Sequence, residues 1–234
     1  EREVTRALQE AEQLLSRASW PEAKTVVSRA DGLLVTGRAN EELRQAVEQL
    51  HADLQMVDRL EAVREDDAAM LDGIHDYALL DRRYETAFRD YGLDMGGWWS
   101  SLRDPSPPNR TTELGARRLD PRHPAIEQAA AKIEQRAIRR ELVAALDHWA
   151  VVRRRAGGTD ASSILAVARS TDPDDLRNRI RDYLERNDRD ALLEASSSEL
   201  ITRLPAASVV LLAGALSEQG SVEQAVMVLE AAQR

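Results

Sequence analysis

The side chains best suited to chemistry in this chain are four histidines, His51, His75, His123 and His148, and no two of them stand at metal-ligand spacing. Asp147-His148-Trp149 sets a carboxylate beside an imidazole, yet adjacent residues of a helix point to different faces. Trp149 falls on an apolar stripe, so His148 is expected at the border of a helix interface rather than as a general base. Gly157-Gly158 lacks the Lys and Ser/Thr that would follow in a phosphate-cradling loop. Glu65-Asp66-Asp67 has no further ligand returning at cation-site spacing and reads as a solvated helix face. Ser162-Ser163 and Ser196–Ser198 have no partnered base, and Asp172 reads as the cap of a helix with Pro173 at its first position and Asp174 and Asp175 in its first turn. Asn109-Arg110-Thr111 fits a glycosylation acceptor, which matters only in a secreted protein. The expectation is no catalytic, metal-binding or cofactor-binding residue and no cofactor.

The elements that would position such residues are helices. From Ala206 to the end, Val209, Leu212, Ala213 and Leu216 share one helical face, and Val222, Ala225, Val226, Leu229 and Ala232 share another, with Gln219-Gly220-Ser221 between them. Intervals of twelve, four and three join Ala213 to Ala225, Leu229 and Ala232. They recur from Ala11 to Ala23, Val27 and Ala30, and from Ala68 to Leu80, Tyr84 and Ala87. Each match spans a helix, a turn and a helix. The pattern resembles a tetratricopeptide repeat, whose hairpins bury their faces only against neighbouring units. The starts lie farther apart than the roughly 34 residues of a regular array. An all-α fold is therefore expected: a diverged tetratricopeptide-like array of hairpins, an α-solenoid, with additional long helices, nine to eleven helices in all and no sheet.

Along the chain, helices are expected at Val4–Ala18, Glu22–Leu33 and from Asn40, where Leu43, Val47, Leu50, Leu54 and Val57 alternate by four and three. A single long helix is expected from Ile126 to Arg155, closed by Arg153–Arg155 and stopped by Gly157-Gly158. Shorter helices follow at Ser162–Arg169, after Asp172 and near Ala191. This divides the chain into residues 1–91, a repeat-like helical segment, residues 92–124, a long loop, and residues 125–234, a helical segment ending in the last hairpin, together compatible with one continuous domain. Residues 93–124 hold five of the eight prolines and the pair Trp98-Trp99. A loop of that length tends to be functional or disordered. Its tryptophans either plug the inner face of the array or form a recognition surface, with Arg103, Arg117 and Arg118 as companion partner-binding candidates.

Composition limits the classes of function. Hydrophobic residues make up 43% of 234 residues and aromatic ones only 4%, so the core must be built from Leu, Val and Ala in closely packed helices. The chain has no cysteine, which removes disulfides and thiolate metal sites. No apolar run reaches the ~18–20 residues of a membrane span, and no signal peptide is visible, so the expected location is the cytoplasm. The net charge of −9 divides into −8 over residues 1–91, +4 over 92–170 and −5 over 171–234. Acidic flanks argue against nucleic acid as the partner. The basic middle either meets an acidic partner or neutralises the chain's own flanks.

Glu141–Arg154 (ELVAALDHWAVVRR), Ile164–Leu192 (ILAVARSTDPDDLRNRIRDYLERNDRDAL), the closing hairpin and Tyr77–Met95 (YALLDRRYETAFRDYGLDM) together resemble the repeat region of large planctomycete-type bacterial serine/threonine protein kinases. The resemblance covers most of the chain from Ala7 onward. It implies a tetratricopeptide-repeat module, regulatory or substrate-recruiting, that binds a protein or peptide partner, and neither membrane nor nucleic acid. No glycine-rich loop, His-Arg-Asp loop or Asp-Phe-Gly is present, so it implies no catalytic residue. The alternatives are a helical domain of an enzyme whose site is not readable from sequence, and a stand-alone repeat adaptor. Glu1 in place of Met and a last helix that stops at Arg234 read as a piece of a longer protein. The strip around Val226 and Leu229 is then expected to be uncovered, for continuation of the array or for weak self-association.

Overall fold

The structure, a computed structural model, describes residues 1–36, 40–68, 76–93, 123–197, 201 and 204–233. The helices with assigned bounds are α1 (Arg2–Ser16), α2 (Trp20–Thr36), α3 (Glu41–Ala68), α4 (Tyr77–Asp90), α5 (Pro124–Glu134), α6 (Arg139–Arg155), α7 (Ala161–Thr171), α8 (Asp175–Arg186), α9 (Arg189–Ala195), α10 (Ala206–Glu218) and α11 (Val222–Ala231). There is no strand among the described residues, and no helix there is long and apolar enough to cross a membrane. The fold is all-α.

In α1, Val4, Ala7, Leu8, Ala11 and Leu15 recur on one face and are buried against α2, which contributes Ala23, Val26, Val27 and Ala30. The two run antiparallel, with Arg29 paired to Glu10 at 2.5 Å. Helix α2 begins at Trp20, two residues before the expected Glu22, because Pro21 fits a first turn that needs no donor there. The turn between them is made by Ala18 at φ 56°, with the Ser19 N–H donating to the Leu14 carbonyl at 3.0 Å. A left-handed residue with a Cβ is strained, and Ala18 is exposed and buries nothing there. Ala18→Gly is expected to raise stability by roughly 0.5–1 kcal/mol. An unchanged urea midpoint would show that the turn carries no such strain.

Helix α3 buries Val47, Leu50, Leu54, Val57, Leu60 and Val63, and also Asp53 and Met56, which is wider than one stripe. It needs that width because it packs on α1 and α2 and also on α4. Helix α4 returns antiparallel to α3. Arg83 pairs with Asp66, Arg59 with Asp90 at 3.3 Å, and the Tyr91 hydroxyl donates to Asp53 at 2.5 Å.

The single helix expected from Ile126 to Arg155 is two helices, α5 and α6, broken at residues 135–138. The physical reason lies in the stripe. Ile133 and Ile138, the fully buried residues that bracket the break, are five apart, out of phase with a helical face that repeats every three or four residues. One straight helix would aim its halves in different directions, so the chain turns; α5 then packs on α7, and α6 on α4, α7 and α10. Helices α6 and α7 are buried nearly all round, including the six consecutive residues Ser163–Ala168, which marks them as the centre of the second half. Contacts in α1–α4 run mostly from neighbour to neighbour, whereas α10 returns to α6 as well as packing on α8, α9 and α11.

Asp172 is not the cap of α8. Its carboxylate accepts the Asp174 N–H at 3.2 Å and is gripped by Arg177, and α8 begins only at Asp175. The cap passes to Asp174, whose carboxylate accepts the Arg177 N–H at 2.9 Å. Helix α11 buries Ala225 and Val228 but leaves Val226 47% and Leu229 40% exposed, beside Val222 and Met227.

Candidate functional site

A cleft of about 440 Å3 lies where the end of α3, the middle of α6 and the start of α10 meet. Its floor is one face of α6, Glu141, Ala144, His148 and Val151, spaced by three, four and three. One wall is α10, where Ala207, Val210, Leu211 and Gly214 repeat likewise; the other carries Arg64 and Asp67 from α3. The alanines and the glycine open the space, and the charged residues rim an otherwise apolar interior. Ala144, Asp147 and Ala207 also border a second, more polar cavity of about 590 Å3 that runs toward Arg139, Asp174 and Arg177. Volumes of this kind match ligand pockets of ordinary size.

The rim is fixed by charge. Arg64 faces Glu141 at 3.4 Å across the α3–α6 gap. His148 is held on both ring nitrogens, with Nδ1 2.7 Å from the Tyr84 hydroxyl and Nε2 3.1 Å from Asp67. In the neutral ring Nε2–H donates to Asp67 and Nδ1 accepts from Tyr84. Tyr84 is fully buried, and burial pushes its phenol above the usual tyrosine value. Burial keeps the Tyr84 phenol protonated, and its hydroxyl and Asp67 together fix the orientation of the His148 ring. The acidic run Glu65-Asp66-Asp67 is accordingly not merely a wet face: Glu65 is exposed, whereas Asp66 holds Arg83 and Asp67 holds His148.

Behind the floor, Asp147 turns inward to a buried ion network. Arg181, wholly enclosed, donates Nε and Nη2 to the two oxygens of Asp147 at 2.7 Å each, and Nη1 to Asn178 at 2.7 Å. Its Nη2 also lies 2.9 Å from Asp172, which Arg177 grips at 2.5 and 2.6 Å. Burial opposes the charge on Asp172, but hydrogen bonds from Arg177 and the charge of Arg181 outweigh it and hold its carboxyl down at about 2. Burial is the larger effect on Asp147 and raises its carboxyl, with Arg181 pulling the other way.

At the far end of α6, Arg153 clamps three elements. It reaches Asp160 through Nε at 2.8 Å and Nη2 at 3.0 Å, and Asp81 of α4 through Nη1 at 3.0 Å. Gly157 takes φ +80° to close the helix, and Gly158 must lack a side chain because a Cβ there would meet Arg153 at 2.8 Å.

Of the remaining histidines, His123 caps α5 by accepting the Ala125 N–H at 3.2 Å, and His51 is half-buried on α3. His75, the partner-binding candidates Trp98, Trp99, Arg103, Arg117 and Arg118, and Asn109-Arg110-Thr111 lie outside the described residues. No group of three or more metal-ligating side chains converges among the described residues. The sequence reading did not anticipate the cleft or its rim. Tyr84 and Asp67 reach His148 across 64 and 81 residues of chain, and only the i, i+4 spacing of Arg177 and Arg181 hinted at a shared buried face. Comparisons with protein-family models, curated proteins and solved structures find no match for the chain.

Proposed function

We propose that the chain is a non-catalytic protein–protein interaction module, a diverged tetratricopeptide-like array whose α6 cleft seats a peptide segment of a partner. The observation that carries this reading is the cleft itself, apolar inside, rimmed by Arg64, Asp67 and Glu141, and long enough with its polar extension for several residues. The repeat-like spacing supports the architecture: Ala11, Ala23, Val27 and Ala30 are all buried, as are Leu80, Tyr84 and Ala87. The parent protein we envisage is a bacterial serine/threonine protein kinase in which this region recruits substrates or regulates the kinase domain, acting in the cytoplasm. A second copy or further repeats would dock on the exposed apolar edge of α11.

The test is a peptide array probed with the purified chain, followed by titration of the selected peptides. Ala144→Trp, which fills the cleft floor, is expected to weaken them at least about tenfold. Purified chain should neither hydrolyse ATP nor phosphorylate protein. Turnover, or binding that Ala144→Trp leaves unchanged, would overturn the reading.

A further inference from the structure

Most arginines that touch the body of the protein have a carboxylate partner, among them Arg29, Arg59, Arg83, Arg153, Arg169 and Arg181. Four do not. Arg17, Arg136, Arg139 and Arg140 make no ion pair among the described residues, and all four line one pocket of about 500 Å3 between the α1–α2 turn and the α5–α6 joint. Arg136 lies over the Tyr91 ring at 5.2 Å, and its Nε–H is buried without an acceptor. Two carboxylates border the pocket. One, Glu141, is already directed to Arg64, and Asp53 of α3 acts on Arg136 from behind the pocket, which leaves Glu134 against Arg17, Arg139 and Arg140.

Folding does not account for this arrangement. Arg139 and Arg140 are the first two residues of α6, at the positive end of its dipole, where a cation opposes the helix. Ile138 precedes them and provides no side-chain cap. Both arginines are exposed, so they hold no packing in exchange. The sequence thus gathers positive charge where it weakens its own helix, inside a protein of net charge −9. Guanidinium groups without partners are matched by carboxylates, which they bind in bidentate fashion.

We propose that this arginine-lined pocket binds an acidic peptide segment, a run of Asp and Glu side chains on a partner protein. The volume exceeds a single small anion and suits several side chains in sequence. A duplex or long RNA needs a broad basic surface, which the acidic remainder of the chain denies it. The proposal rests on the reading of the chain as an interaction module; Arg139 and Arg140 also line the polar extension of the α6–α10 cleft, whereas Arg17 and Arg136 line this pocket and not that extension. Filling that cleft with Ala144→Trp should leave binding here unchanged, so the two readings fail separately.

The experiment is fluorescence anisotropy with a labelled deca-glutamate peptide at about 0.1 M salt, where charges are screened beyond ~10 Å. Saturable binding is expected for deca-glutamate and none for deca-glutamine. Arg139→Glu with Arg140→Glu should weaken it at least about tenfold, and Arg17→Glu, at an exposed residue that lines this pocket and not the cleft's polar extension, should weaken it too. Arg179→Glu, on an exposed residue of α8 outside the pocket, should leave it as it was. The double variant should melt no lower than the parent, because glutamate suits the first turn of α6 better than arginine. Absence of deca-glutamate binding, equal binding by deca-glutamine or the double variant, or tighter binding of a single-stranded RNA of the same charge would each overturn the proposal.

Discussion

Arg181→Ala should cost about 3–5 kcal/mol of folding stability, one of the two largest effects expected of any single substitution here. Arg181 is wholly enclosed and answers both oxygens of Asp147 at 2.7 Å. Removing it leaves the Asp147 carboxylate buried with no cation beside it, and burial already raises that group. Asp172 would suffer less, because Arg177 holds both of its oxygens. Asp147→Asn should cost less than Arg181→Ala, since Arg181 would keep Asp172 and Asn178. Replacing the pair together, Asp147→Leu with Arg181→Met, should recover most of the loss, because an apolar pair of similar volume has no desolvation penalty. Urea denaturation of the four proteins decides the matter. If Arg181→Ala costs under about 1 kcal/mol, or the double variant costs as much as the single ones added, the network is not what fixes α8 against α6.

The helical class was open to view because apolar spacing is a local signal. Ala11, Ala23, Val27 and Ala30, chosen for their intervals, are buried in the α1–α2 hairpin. Where sequence reading went wrong, a second local signal had been passed over. The step of five from Ile133 to Ile138 runs against one continuous stripe. Only with that break do Arg139 and Arg140 stand at a helix start. Asp172 and Asp174 are both cap residue types beside Pro173, and it is Asp174 that accepts the Arg177 N–H while Asp172 joins the ion network.

The cleft was a different matter. Asp67, Tyr84 and His148 are joined across 64 and 81 residues of chain, and nothing in their immediate neighbours foretells the contact. Asp147 sat next to His148 in a dipeptide that invites a catalytic reading, yet the two serve opposite purposes. One turns into the ion network behind the helix, and the other closes the rim in front of it. The i, i+1 divergence of a helix predicts that they part. It does not say where either goes.

Trp149→Ala should match Arg181→Ala in cost, about 3–5 kcal/mol, by a different route. The ring is fully buried between helices, stacked on Phe88 at 5.2 Å and 17° and on Tyr84 at 6.1 Å and 20°. Both partners sit on α4 one turn apart, so a single side chain of α6 holds that whole face. The indole N–H donates to Asp81 at 2.8 Å, but Asp81 also holds Arg153 and would keep that partner. Most of the loss is therefore cavity and lost stacking, not an orphaned carboxylate. Trp149→Phe retains a stacked ring and should lose only about 1–2 kcal/mol. The contact of α4 with α6 is the chief one joining α1–α4 to the later helices. Weakening it should also loosen cooperativity, because the α4–α6 contact is where the one continuous core passes from α1–α4 to the later helices. Calorimetry should then show one transition for the native chain and a broadened or divided one for Trp149→Ala, with Trp149→Phe close to native. A Trp149→Ala protein that melts within about 1 kcal/mol of the parent, in one sharp transition, would show that the aromatic stack does not bind the two halves and that other contacts carry the join.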